Sequence, residues 1–184
     1  LFNPIVGGSA VVVSRIRMSL ALKIRSTQHE DASQVLRLNE ESVQFLSPMN
    51  SERLALLQSH SAYYRVLESE GRVAAFLLAF REGAAYDSPN YRWFAARYSQ
   101  FLYIDRVVVS SSLQGRGAGR LLYADLFQFA RDSGVTLVTC EFDLEPPNPV
   151  SMRFHEQHGF VEVGTQTYGA ANKLVSLRAV KLVV

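Results

Sequence analysis

Between Asp105 and Arg131 the chain reads DRVVVSSSLQGRGAGRLLYADLFQFAR. A β-branched apolar run passes through three serines into a turn with three glycines and two arginines, and then into a helical pattern. Leu122, Leu126, Phe129 and Ala130 fall on one face of that helix, and Asp125, Gln128 and Asp132 form a polar stripe. Such a handover from buried strand to amphipathic helix excludes an all-α or all-β fold. It also places glycine and positive charge at a helix N-terminus, where N–H groups are unpaired and a partial positive charge collects. Glycine lets backbone approach an anion closely, and Arg116 and Arg120 add full charges. The turn reads as a phosphate cradle, although taken alone it also fits a flexible connector.

The flanking sequence continues the alternation. LALKIRS reads as a strand, and HEDASQVLRLNEESVQFL as an amphipathic helix ended by Pro48. SERLALLQSH reads as a second helix with Ser51 as its cap. AYYRVLES and RVAAFLLAF are strands joined at Glu70-Gly71, dense enough in apolar residues for a sheet covered on both faces. An aromatic insert from Arg81 to Gln100 is too long for a tight hairpin and reads either as a short helix on the core or as a lid. VTLVTCEF is a strand, and NPVSMRFHEQHG is a helix with Asn148 as cap, Pro149 at the first position and Gly159 as the stop. Two strands close the chain. The expected fold class is α/β, a mixed sheet of about seven strands with helices on both faces.

The 184 residues suffice for one packed domain, taken as 18–184, with 1–17 as an extension outside it. A net charge of +2 and no basic helix argue against nucleic acid as a partner. No apolar run approaches a membrane span, and the cytoplasm is the default location. The single cysteine, Cys140, excludes an intrachain disulfide and a multi-cysteine metal site, and is expected to pack within a strand. No metal is expected.

Two nucleotide-binding patterns fail. A Walker loop needs a lysine that is missing, and Gly-x-Gly-x-x-Gly breaks at Arg120 and at Leu122. The pattern Gln-x-x-Gly-x-Gly, carried by Gln114, Gly117 and Gly119 after a β-rich run, resembles the GNAT superfamily of acyl-CoA-dependent N-acyltransferases. NPVSMRFHEQHGF is similar to the late helix of that superfamily, with Asn148, Ser151, Phe154 and Gly159-Phe160 in its slots. The resemblance spans roughly Leu22 to Val183. It implies a sheet split into a V between the fourth and fifth strands, with acetyl-CoA or coenzyme A held in the split.

By that resemblance, the diphosphate rests on backbone N–H groups of Gln114, Gly115, Arg116, Gly117, Ala118 and Gly119, with Arg116 or Arg120 adding charge. Asn148, Ser151 and Phe154 contribute from the late helix. The pantetheine arm pairs with the backbone of Val107, Val108 and Val109, and an N–H near Val108 polarises the thioester carbonyl. Asp105 is favoured to hold or deprotonate the amine, its alternative being a salt bridge with Arg106 or another arginine, and Glu141, Asp143 and Glu145, on one face if their strand continues, are further candidates, with Glu141 named among the catalytic residues. The tyrosine that usually protonates the leaving thiolate is replaced by His155. Helical spacing puts His155 on one polar stripe with Asn148 and Ser151, and Val150 and Phe154 on a core-facing side. Tyr91, Trp93 and Tyr103 are candidates for the acceptor cleft. The acceptor is a small-molecule or peptide amine, and exposed aromatics could form a homodimer surface. A non-catalytic acyl-CoA sensor with the same cradle is the alternative reading.

Overall fold

The computed structural model describes residues 22–169 and 172–183, so the expected extension at 1–17 lies outside the described residues. Seven strands and five α-helices follow one another as β1 (Leu22–Ser26), α1 (Ala32–Glu40), α2 (Ser51–His60), β2 (Tyr63–Ser69), β3 (Arg72–Arg81), α3 (Pro89–Ala95), β4 (Leu102–Val109), α4 (Ala118–Asp132), β5 (Leu137–Glu145), α5 (Pro149–Gln157), β6 (Val161–Tyr168) and β7 (Lys173–Lys181). The sheet order is β1-β2-β3-β4-β5-β7-β6, antiparallel except for β4 and β5. The expected mixed sheet, element order and strand count are all present.

β3 is the spine. Val73 through Phe80 are all buried, because α4 covers one face of the sheet and α1 to α3 cover the other. Each large side chain so buried contributes roughly 1.5–3 kcal/mol. The β2–β3 hairpin turns at Glu70 and Gly71, both at positive φ, as a two-residue turn between twisted strands requires. Cys140 is buried in β5. No helix among the described residues is long and apolar enough to cross a membrane.

Three local expectations change. α1 ends at Glu40 rather than running to Leu46, and residues 41–46 continue as turns. The cap of α2 is Asn50, whose Oδ1 accepts from Arg53 N at 2.8 Å, not Ser51, which is the first helical residue. On α5, Phe154 packs on the core as expected, but Val150 is 73% exposed and His155 is 4% exposed, the reverse of the expected facing at these two positions. The inner side of α5 carries His155, which finds a buried hydroxyl partner on α4.

Two strand irregularities shape the centre. β4 and β5 pair only at Leu102–Val138 and Tyr103–Thr139, and then part. The expected V-shaped split lies there. Opposite β3, the register slips between Leu78–Arg106 and Ala79–Ile104, leaving Asp105 as an extra, bulged residue.

Candidate active site

Where β4 and β5 separate, a cleft of about 860 Å³ opens, floored by both strands and closed at its ends by the turn before α4, by α5, and by the 41–50 and 82–90 connections. The expected residues Asp105, Val107, Val108, Val109, Gln114, Gly115, Gly117, Ala118, Gly119 and Arg120 all line it, as do Glu141, Asn148, Ser151, Phe154 and His155.

At one end the backbone is open. Gly115 and Gly117 have φ of 71° and 85°, which glycine adopts without strain. Among the described residues, no acceptor takes the N–H groups of Gly115, Gly117, Ala118, Gly119 or Arg120. A Cβ on Gly119 would come within 3.1 Å of the Phe154 ring, so glycine lets the helix mouth close against α5 without displacing that ring. Gln114 Nε2 donates to Val109 O at 3.2 Å and shapes the turn, while Arg116 and Arg120 stand exposed beside it.

The parity of β4 corrects one assignment. Ser110 N donates to Ala74 O at 2.8 Å, which makes Ser110–Ala74 a hydrogen-bonded pair of the β3–β4 ladder. Alternation then makes Val108–Phe76 such a pair as well. The N–H of Val108 is turned to β3, and those of Val107 and Val109 face the cleft.

At the other end four carboxylates line the cleft, of which Asp87 accepts from Arg53 Nη2 at 2.6 Å. Asp105 accepts from Tyr86 Oη and, at 3.0 Å, from Arg106 Nε, so the ion pair weighed as its alternative role is formed. Burial raises the Asp105 carboxyl above its usual range, with Arg106 and Tyr86 pulling against that. Asp143 accepts from Lys173 Nζ at 3.0 Å. Glu141 has no cationic partner among the described residues. Its Oε1 accepts from Tyr103 Oη at 2.8 Å and Asn90 Nδ2 at 3.0 Å, and its Oε2 is buried with no partner. Burial, with nearby Asp105 and Asp143 adding to it, pushes Glu141 up to about 8.

His155 lies under the cleft wall in a closed pair of bonds. Its Nδ1 donates to Ser151 O at 2.8 Å, which leaves Nε2 to accept from Tyr123 Oη at 2.8 Å. Burial lowers its pKa to about 4. The ring is neutral near pH 7 and has no proton facing outward.

The aromatic insert does form a short helix. Tyr91 is 3% exposed, donates to Arg81 O at 2.8 Å and accepts from Ala84 N at 2.9 Å. Trp93 packs on Gly164 and carries the Arg97 guanidinium over its ring at 3.7 Å. Neither side chain lines the cleft, because each is spent on packing α3 to the sheet. Tyr103 is fully buried and reaches the site only by its bond to Glu141. The insert contributes Tyr86 to Asn90, and Asn90 is held by Gln166 Nε2 at 3.0 Å. Sequence reading missed Asn90 and Tyr168, another cleft residue, and only the Ser88-Pro89 helix start hints that Asn90 opens a helix.

The sequence profile of the Acetyltransferase (GNAT) family matches residues 29–160. No curated protein matches the sequence. Among solved structures, Ard1 from Thermoplasma volcanium superposes with a TM-score of 0.74 at 16% identity, covering 90% of this chain and 100% of its own. The ribosomal-protein-S18-alanine N-acetyltransferase from Escherichia coli gives 0.66 at 16% identity, with 89% and 95% covered. The structure of yncA from Salmonella typhimurium with its cofactor acetyl-CoA gives 0.67 at 19% identity, with 89% and 95% covered. These likenesses show a shared fold. Together with the profile match over most of the chain, the split sheet and the glycine turn at the mouth of α4 place this acyltransferase in the acetyltransferase (GNAT) family.

Proposed function

We propose that this chain transfers an acetyl group from acetyl-CoA to a primary amine by direct attack within a ternary complex, with Glu141 as the base. One observation carries the reading: a single cleft holds a turn of unspent amides at one end and a buried carboxylate with no cationic partner at the other.

The residues present fit acetyl-CoA. The free amides of Gly115 and of Gly117 to Arg120 suit a diphosphate, Arg116 and Arg120 stand ready for phosphate charge, and Gly119 keeps the approach free of a side chain. The open edge of β4 offers the Val107 and Val109 backbone to an extended arm bearing amides. When bound, acetyl-CoA supplies an acyl group already activated as a thioester.

The chain supplies the rest. An amine attacks only as the free base, so its proton must leave. Glu141 Oε2 is a buried acceptor with no partner, and a docked ammonium satisfies it. With its pKa about 8, Glu141 ionises over the range where it can take that proton, and its activity as base rises with pH through about 8. Asp105 already has a donor on each oxygen and acts by charge and position. The Val107 N–H donates into the cleft where negative charge develops on a carbonyl oxygen. His155 holds α5 to α4 and moves no proton, so the sulfur released as the C–S bond breaks would take its proton from solvent in the open cleft.

The test is release of free thiol from acetyl-CoA in the presence of pooled primary amines, alongside the shift of the unfolding midpoint by acetyl-CoA alone. Amine-dependent release that falls by about 10²–10⁴ in Glu141→Gln supports the reading. A midpoint raised by acetyl-CoA without turnover of any amine would favour the sensor instead.

A further inference from the structure

β4 carries charge where its period should not allow it. Successive strand residues point to opposite faces. Along β4, Tyr103 and Val108 pack with the α1–α3 side, and Ile104, Val107 and Val109 with the α4 side. The bulge breaks the alternation, and Asp105 and Arg106 both turn toward α1–α3. Arg106 is 5% exposed. Its Nε donates to Asp105 Oδ2 at 3.0 Å, and its Nη1 donates to Asn39 Oδ1 at 2.6 Å and to Ser47 O at 2.8 Å. Asn39, fully buried, also donates from Nδ2 to Ser47 O at 3.3 Å.

One guanidinium therefore joins the end of α1, the 41–50 connection and the bulge. Through Asp105 and Tyr86 it also reaches the segment before α3. Phe45 and Leu46, just ahead of Ser47, belong to the cleft wall. Packing alone gives no reason for this group, since an apolar side chain of similar volume fills such a space without desolvating a charge. A planar fork with fixed donor directions is what three separated acceptors require.

We infer that Arg106 is a positioning residue whose clasp on Asn39 and Ser47 fixes the 41–50 connection as a rigid wall of the acceptor end of the cleft. Acceptor binding then depends on the clasp, and acetyl-CoA binding does not. The kinetic half of this inference rests on the proposed acyl transfer, whereas the clasp itself does not.

Two variants test it. Arg106→Lys keeps a cation beside Asp105 but cannot reach both sets of partners with one ammonium. Asn39→Ala leaves the Arg106–Asp105 pair and removes one tether. The measurements are hydrogen exchange in peptides covering 41–50 and 118–132, and KM values for acetyl-CoA and for the best acceptor among tyramine, spermidine and a peptide with a free alanine N-terminus. In Arg106→Lys, exchange in 41–50 accelerates about tenfold while that in 118–132 holds. Acceptor KM rises about tenfold there, and a few-fold in Asn39→Ala, with acetyl-CoA KM within about twofold of wild type. Unchanged exchange in 41–50 in both variants overturns the clasp. Equal rises in the two KM values overturn its selectivity for the acceptor. If Arg106→Lys does not fold, Asn39→Ala carries both measurements. A wild-type protein that turns over none of the three amines speaks against the acyl-transfer reading, and the exchange data still decide the clasp.

Discussion

Replacing Glu141 with glutamine should disable the enzyme and stabilise it in alkaline solution at the same time. The two side chains are isosteric, and Glu141→Gln keeps an oxygen to accept from Tyr103 and Asn90. The other terminal atom is unpartnered in either protein, so that cost of about 1–3 kcal/mol cancels. What differs is ionisation. Raising the carboxyl from 4.5 to about 8 corresponds to about 5 kcal/mol against the charged form in the folded state. The sign follows from linkage. Below pH 4.5 both folded and unfolded chains hold the proton and no penalty exists. Between 4.5 and about 8 the unfolded chain ionises first, so folding stability falls as pH rises, and above that the penalty is constant. Thermal unfolding at pH 5 and pH 9 reads this directly. The variant should match wild type within about 1 kcal/mol at pH 5 and exceed it at pH 9 by about 5 kcal/mol, on the order of 10–20 °C in Tm. A Tm difference that does not change with pH, or a variant less stable at pH 9, would refute a buried carboxyl held against ionisation.

Gly119→Ala puts a methyl within 3.1 Å of the Phe154 ring and should raise KM for acetyl-CoA while leaving the fold intact by circular dichroism. Arg116→Ala together with Arg120→Ala should also raise that KM and flatten its dependence on salt, since both charges stand exposed at the turn. His155→Phe leaves Tyr123 Oη buried without its acceptor and should cost about 1–3 kcal/mol in urea unfolding, yet the pH profile of kcat should keep its shape because the imidazole is already neutral. Asp105→Asn strips Arg106 of its only anionic partner among the described residues and should destabilise the fold by about 3–5 kcal/mol, measured by the same unfolding.

The elements were legible because local chemistry and burial agree. The unbroken apolar run of β3, the Glu70-Gly71 turn and the Asn148-Pro149 start of α5 each have one physical reading, and the structure follows it. The open glycine turn was legible for the same reason. Bulge and facing were not. An extra residue in β4 exists only relative to β3, so neither Asp105 nor Arg106 announces that both turn to one side. The facing of α5 was misjudged because a histidine is polar in composition yet can be satisfied internally by one hydroxyl and one carbonyl. Glu141 stood among three acids of one strand, and only the partners around each distinguish it: Lys173 claims Asp143, while neutral groups alone meet Glu141. Tyr91 and Trp93 misled because their size draws them into packing, while the smaller Asn90 from the same helix reaches the site.

The joint between β4 and β5 has a mechanical implication. Two residue pairs weld the first four strands to the last three, and beyond them two raw edges face each other across a gap. A splint lying along that gap would brace the halves of the molecule as well as deliver chemistry. Its arrival should therefore be felt far from any reacting atom, as a stiffening of the whole sheet.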